Sequence, residues 1–191
     1  MANQPGRQLF GPARGRITLQ TSRDGLAAQA GHDLTIEISR WSGQLAVSDD
    51  GSPSELRVTA DLGALVVREG LGGLKPLTDR DKREIAVTAR NTLRADRYPE
   101  ATFTATSFEP GAGGGGIIEG TLTLAGKSVS QRLQVSQTGP DRYRATTTVR
   151  QTDFGIKPYS AFLGSLKVSD AVRVEVEVDL SGEAQQQGAS G

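Results

Sequence analysis

Near the end of the chain, apolar residues occupy every second position. Val172, Val174, Val176, Val178 and Leu180 alternate with Arg173, Glu175, Glu177 and Asp179. A strand sends successive side chains to opposite faces, so this segment carries one apolar face and one charged face. A helix would scatter the same residues around its axis. The pattern repeats at Leu34, Ile36 and Ile38, set against Thr35, Glu37 and Ser39. It repeats again at Leu56, Val58, Ala60 and Leu62, set against Arg57, Thr59 and Asp61. Weaker versions run over residues 16–20, 43–47, 101–108, 117–124, 129–137 and 142–150. Their Thr and Val content suits a pleated, half-buried surface.

The breaks between these runs carry turn chemistry. Asp49-Asp50-Gly51-Ser52-Pro53 separates two strands, and residues 110–116 form a glycine-rich loop. Ala125-Gly126 and Gly139-Pro140-Asp141 read as hairpin tips. Most strands follow one another with no helix between them, which argues for antiparallel pairing. One segment departs from period 2. Thr78 followed by Asp81 has the form of a helix start, and Ile85, Ala89 and Leu93 recur every four residues. The spacing predicts a helix over about 79–92, ended before Tyr98-Pro99 and lying on the sheet with a narrow apolar stripe. The fold class is therefore all-β and antiparallel, with one helix. Strands that each own one apolar face must bury those faces together, in a sandwich or in a closed barrel. Periodicity alone does not choose between the two.

The length of 191 residues suits one domain, expected over 14–180 between disordered tails at 1–13 and 181–191. Twenty-two basic residues balance 22 acidic ones, so no global field attracts nucleic acid or an anionic membrane. The absence of cysteine excludes disulfides, iron–sulfur ligation and thiol chemistry. No stretch is apolar enough for a membrane helix, and no signal peptide is visible, so the expected location is cytoplasmic. Any exposed strand edge would favour a homodimer.

His32 is the only histidine, and Asp33 follows it. Neighbouring strand residues face opposite ways, so Asp33 is not placed to orient His32 as a catalytic base. His32 is read as structural or ligand-contacting rather than catalytic. With one histidine and no cysteine, no zinc site is expected, and no cofactor either. Gly111 to Gly116 matches a dinucleotide-binding glycine pattern, but strand signals flank it on both sides, where phosphate binding needs a following helix. The segment Asp153-Phe154-Gly155-Ile156-Lys157-Pro158-Tyr159 is neither clean strand nor helix. It reads as a looped connection or as an apolar rim at a pocket mouth.

Taken in order, several motifs resemble the YceI-like, polyisoprenoid-binding family. They are Gly31-His32, Tyr98-Pro99-Glu100-Ala101-Thr102-Phe103, Gly120-Thr121-Leu122-Thr123-Leu124-Ala125-Gly126, Asp153-Phe154-Gly155-Ile156 and Val168-Ser169-Asp170-Ala171-Val172. The resemblance implies an extended, lipocalin-like antiparallel barrel with a helix near the middle of the chain. It implies an apolar interior that takes an isoprenoid, an isoprenoid quinone or a similar amphiphile, held by a carrier rather than an enzyme. Many members of that family are periplasmic or secreted. The candidate ligand contacts are His32, Phe103, Phe154 and Ile156 on the matched motifs, Leu34, Ile36, Leu56 and Val58 from the alternation, and Phe162. Two other functions stand beside this one: an interaction domain whose barrel is filled by its own side chains, and an enzyme on a lipid-like substrate using His32.

Overall fold

The computed structural model describes residues 6–181. In chain order the strands are β1 (Gly6–Phe10), β2 (Gly15–Thr21), β3 (Arg23–Asp24), β4 (His32–Ile38), β5 (Trp41–Val47), β6 (Pro53–Asp61) and β7 (Leu65–Gly72). The helix α1 (Asp79–Thr92) follows. Then come β8 (Glu100–Pro110), β9 (Gly116–Leu124), β10 (Lys127–Gly139), β11 (Arg142–Arg150), β12 (Ser160–Ala161), β13 (Leu166–Val168) and β14 (Ala171–Asp179). Eleven strands form one antiparallel sheet in the order β1-β5-β6-β8-β9-β10-β11-β14-β2-β4-β7. The three shortest, in the order β12-β13-β3, make a small second sheet.

Connection lengths dictate the shape of the large sheet. β4 and β5 lie near opposite ends of the hydrogen-bonded order, yet only Ser39 and Arg40 join them. β6 and β7 are likewise far apart in the order and joined by Leu62, Gly63 and Ala64. A few residues reach no more than ~3.6 Å each. The sheet must therefore curl until its two ends meet at these corners. Backbone bonds fasten the meeting point: the Ser39 amide donates to the Ala64 carbonyl at 2.9 Å, and the Asp61 amide to the Arg40 carbonyl at 3.0 Å. The result is a half-barrel with its apolar face inward, and a sandwich is excluded.

The hairpin at Ala125-Gly126 takes φ values of 51° and 80°, the double left-handed turn that matches strand twist. Helix α1 begins as expected. The Thr78 hydroxyl accepts from the Asp81 amide at 3.2 Å, and the Asp81 carboxylate accepts from the Thr78 amide at 2.8 Å. The helix packs against β7, with Ala86 buried and Ile85, Ala89 and Leu93 turned to the interior.

The amino-terminal segment differs from the sequence expectation. Residues 6–10, assigned there to a disordered tail, form β1 and pair with β5 from Gly6↔Val47 to Phe10↔Gly43. Phe10 anchors the strand. Its ring lies over Gly43, where a Cβ would overlap it, and meets Trp41 edge-on at 6.0 Å between centroids. The outer parts of the expected tails, residues 1–5 and 182–191, lie outside the described residues.

Candidate functional site

The alternation decides what faces the interior. β14 turns Val172, Val174, Val176 and Val178 inward, and β4 does the same with Leu34, Ile36 and Ile38. β6 contributes Leu56, Val58 and Ala60, and α1 adds Ile85, Ala89 and Leu93 from across the sheet. These side chains do not close on one another. They line a cavity of about 730 Å³, which sits within the ~300–1,000 Å³ typical of small-molecule sites. Many of its wall residues, including the four β14 valines, are only half-buried, because one side of each borders the cavity. Phe103 also lines it, with Gly120 beneath the ring: a Cβ there would overlap both the Phe103 ring and the Thr104 carbonyl.

Polar groups are a minority of the lining, with Thr88, Thr92, Glu109, Gln151 and Lys167 besides the two groups described next. Arg23 and His32 stand at one end, beside Thr21, Gly31 and Tyr159. The Arg23 guanidinium donates to the Gly31 carbonyl at 2.8 Å, and the Arg23 amide donates to the Asp33 carboxylate at 2.8 Å. Asp33 thus holds Arg23 and not His32. The His32 ring donates through Nε2 to the Lys75 carbonyl at 2.9 Å, since a carbonyl oxygen only accepts. Gly73 lies against that ring and leaves no room for a side chain. Further along the wall, Thr147 donates to Gln131 Oε1 at 3.3 Å, and the phenol of Tyr143 reaches the interior. Burial pushes the Tyr143 hydroxyl above its usual range, with Asp141 adding to the effect, so the phenol stays neutral. Such a lining solvates an apolar chain along most of its length and offers a few hydrogen-bonding groups to a polar head. Among the described residues, no cluster of three or more metal-ligating side chains occurs.

Of the nine candidate contacts read from the sequence, six line the cavity: His32, Leu34, Ile36, Leu56, Val58 and Phe103. Three do not. Phe154 and Ile156 are 0 % and 2 % exposed, packed among Leu62, Ala95, Leu124, Ala125 and Val149. A single 3₁₀ turn over Gln151–Phe154 and the left-handed Gly155 tuck both side chains inward, so this part of the segment is not a rim; Tyr159, at its end, does line the cavity. Phe162 is 69 % exposed on a surface turn. The sequence reading missed the β14 valines, Arg23 and Tyr143. The first were legible, because they form the cleanest alternation in the chain. Arg23 carries no local signal, since its neighbours in the cavity come from residues 31–33 and 72–75.

A family model for the YceI-like domain matches residues 12–180 of the chain. Among solved structures, Burkholderia cenocepacia BcnA superposes with a TM-score of 0.60 at 15 % identity, covering 87 % of this chain and 96 % of that one. A mutant Campylobacter jejuni YCEI protein superposes with a TM-score of 0.52 at 17 % identity, covering 75 % and 81 %. Both likenesses establish the fold. No curated protein matches the chain with significance.

Proposed function

The chain belongs to the YceI-like family, and on that premise we propose that it is a non-enzymatic carrier of a long-chain isoprenoid, an isoprenoid quinone or a similar amphiphile. The observation that carries this reading is the continuous apolar cavity of about 730 Å³ between the curled sheet and α1. Apolar surface withdrawn from water contributes ~25 cal/mol per Å², so a chain-like ligand gains most of its affinity from the walls. Orientation comes from the few polar groups at the ends, Arg23 and His32 foremost. The carrier reading also suits the state of His32. Its Nε2 is engaged by a backbone carbonyl and its acidic neighbour is engaged by Arg23. It therefore lacks the third group that an acid–base relay needs.

The test is titration with a fluorescent prenyl alcohol, using wild type and Leu56→Phe. Leu56 lines the cavity, so the added ring is expected to weaken probe binding roughly tenfold or more, a loss of ~1.4 kcal/mol or greater. Stability is expected to change by less than ~1 kcal/mol. A filled interior would instead show no probe binding, and the larger side chain would destabilise the fold by ~1–3 kcal/mol.

A further inference from the structure

Large exposed apolar side chains are not scattered over this molecule. Eight occur among the described residues, and six of them gather at one end of the cavity: Leu26, Leu71, Leu74, Tyr159, Phe162 and Leu163. Backbone contacts join the segments that carry them. The Ala27 amide donates to the Ser165 carbonyl at 2.7 Å, which ties the Leu26 turn to the Phe162–Leu163 turn. Gly72 lies against the Arg23 guanidinium and Gly73 against the His32 ring, which brings the Leu71–Leu74 segment to the same place. Arg23, His32 and Tyr159 line the cavity directly behind.

The tip is held in an unusual way. Phe162 and Leu163 have φ values of 51° and 54°, a left-handed conformation that bulky residues rarely adopt. It keeps Leu163 fully exposed. Charge adds a second observation. Residues 71–75 and 157–168 contain Lys75, Lys157 and Lys167 and no carboxylate. Two acids share this end, Asp24 opposite Lys167 and Asp33 beside Arg23, so Arg23, Lys75, Lys157 and Lys167 outnumber them by two charges. Exposed apolar side chains with an excess of positive charge at the opening of an apolar cavity match one partner chemistry, a bilayer with anionic headgroups.

We propose that the His32 end of the cavity docks on the surface of an anionic phospholipid bilayer, with Leu26, Phe162 and Leu163 inserted among the headgroups. An amphiphile then passes between bilayer and cavity without crossing water; this purpose, though not the surface itself, rests on the carrier reading above.

Vesicle flotation tests it, with phosphatidylcholine alone and with phosphatidylcholine containing phosphatidylglycerol. The comparison uses wild type and the triple variant Leu26→Ser, Phe162→Asn, Leu163→Asn. Asparagine suits a left-handed backbone, so these exposed changes leave the fold intact. Wild type is expected to float with the phosphatidylglycerol vesicles, less so as salt rises. The triple variant is expected to bind them at least roughly tenfold more weakly. It should take up a fluorescent prenyl alcohol from dilute ethanol as wild type does. Absence of wild-type flotation overturns the proposal, as does equal flotation of the triple variant. Sedimentation showing that these residues join two copies of the chain, with no vesicle binding, also overturns it. Flotation without any uptake of the prenyl alcohol supports the docking surface and counts against the carrier reading alone.

Discussion

Phe154 shows how one side chain can matter to the fold and stand apart from the cavity. It is the largest side chain wholly withdrawn from solvent, and it packs with Ile156 behind Leu124 and Val149, which line the cavity while Phe154 does not. Truncating a buried phenylalanine costs ~3–5 kcal/mol, from lost transfer energy and the void left behind. Phe154→Ala is therefore expected to lower stability by that amount in urea unfolding, while the folded fraction binds a fluorescent prenyl alcohol with wild-type affinity. A loss of affinity larger than the loss of folded protein would put Phe154 in the binding wall after all. At this scale the sequence is only partly readable. Leu34, Ile36, Leu56 and Val58 face the cavity because period 2 fixes their side of the strand. Phe154 and Ile156 also sit two apart, but the 3₁₀ turn and the left-handed Gly155 govern where they point. Both depend on contacts remote in sequence, such as the Gln151 amide donating to the Asp170 carbonyl at 3.0 Å.

Among the elements, α1 was the most legible, because its start is chemical and local. Thr78 and Asp81 satisfy each other's orphan amides, and the four-residue spacing of Ile85, Ala89 and Leu93 sets the inward stripe. Thr78→Ala is expected to cost ~1 kcal/mol, read as a shift in the urea midpoint with an unchanged slope. No shift in the midpoint would show that packing on β7 alone holds the helix. β1 was illegible for the opposite reason. Its inward positions carry Gln8 as well as Phe10, and an outward position carries Leu9, so at two of its residues polarity runs against the face taken. β14 adds an electrostatic consequence. On its outer face Glu177 accepts from Arg16 at 2.7 Å and from Arg144 at 2.6 Å. The hydrogen bond from Arg16, followed by that from Arg144, holds its carboxyl below the usual range. Asp179 is lowered to about 2, chiefly by Ser181, with Arg142 assisting. A carboxyl whose pKa falls on folding stabilises the fold above its unfolded value, and that contribution fades as pH drops towards the folded value. The melting temperature is thus expected to fall between about pH 5 and pH 2, less steeply in high salt. A flat profile across that window would show that these surface pairs contribute nothing to the native state.

For the whole molecule, alternation dictated that many one-sided strands bury their apolar faces together, and left sandwich and barrel equal. What separates them is the length of the corners. Two residues between β4 and β5 and three between β6 and β7 oblige opposite ends of the sheet to meet. That choice needs the pairing order, which no local window of sequence contains. Curling also explains why the clearest strand, β14, has half-buried valines: it faces a cavity across which no second sheet packs. The central claim is that this interior is a site for a long apolar ligand. Its most direct test is the native mass of the purified full chain, with mass spectrometry of an organic extract and with added prenyl alcohol where the extract is blank. One apolar molecule per chain, seen both as a mass shift and in the extract or after addition, is the predicted result. A bare chain mass that persists against excess prenyl alcohol would contradict it, and would assign the half-barrel to a role in which its interior takes no guest.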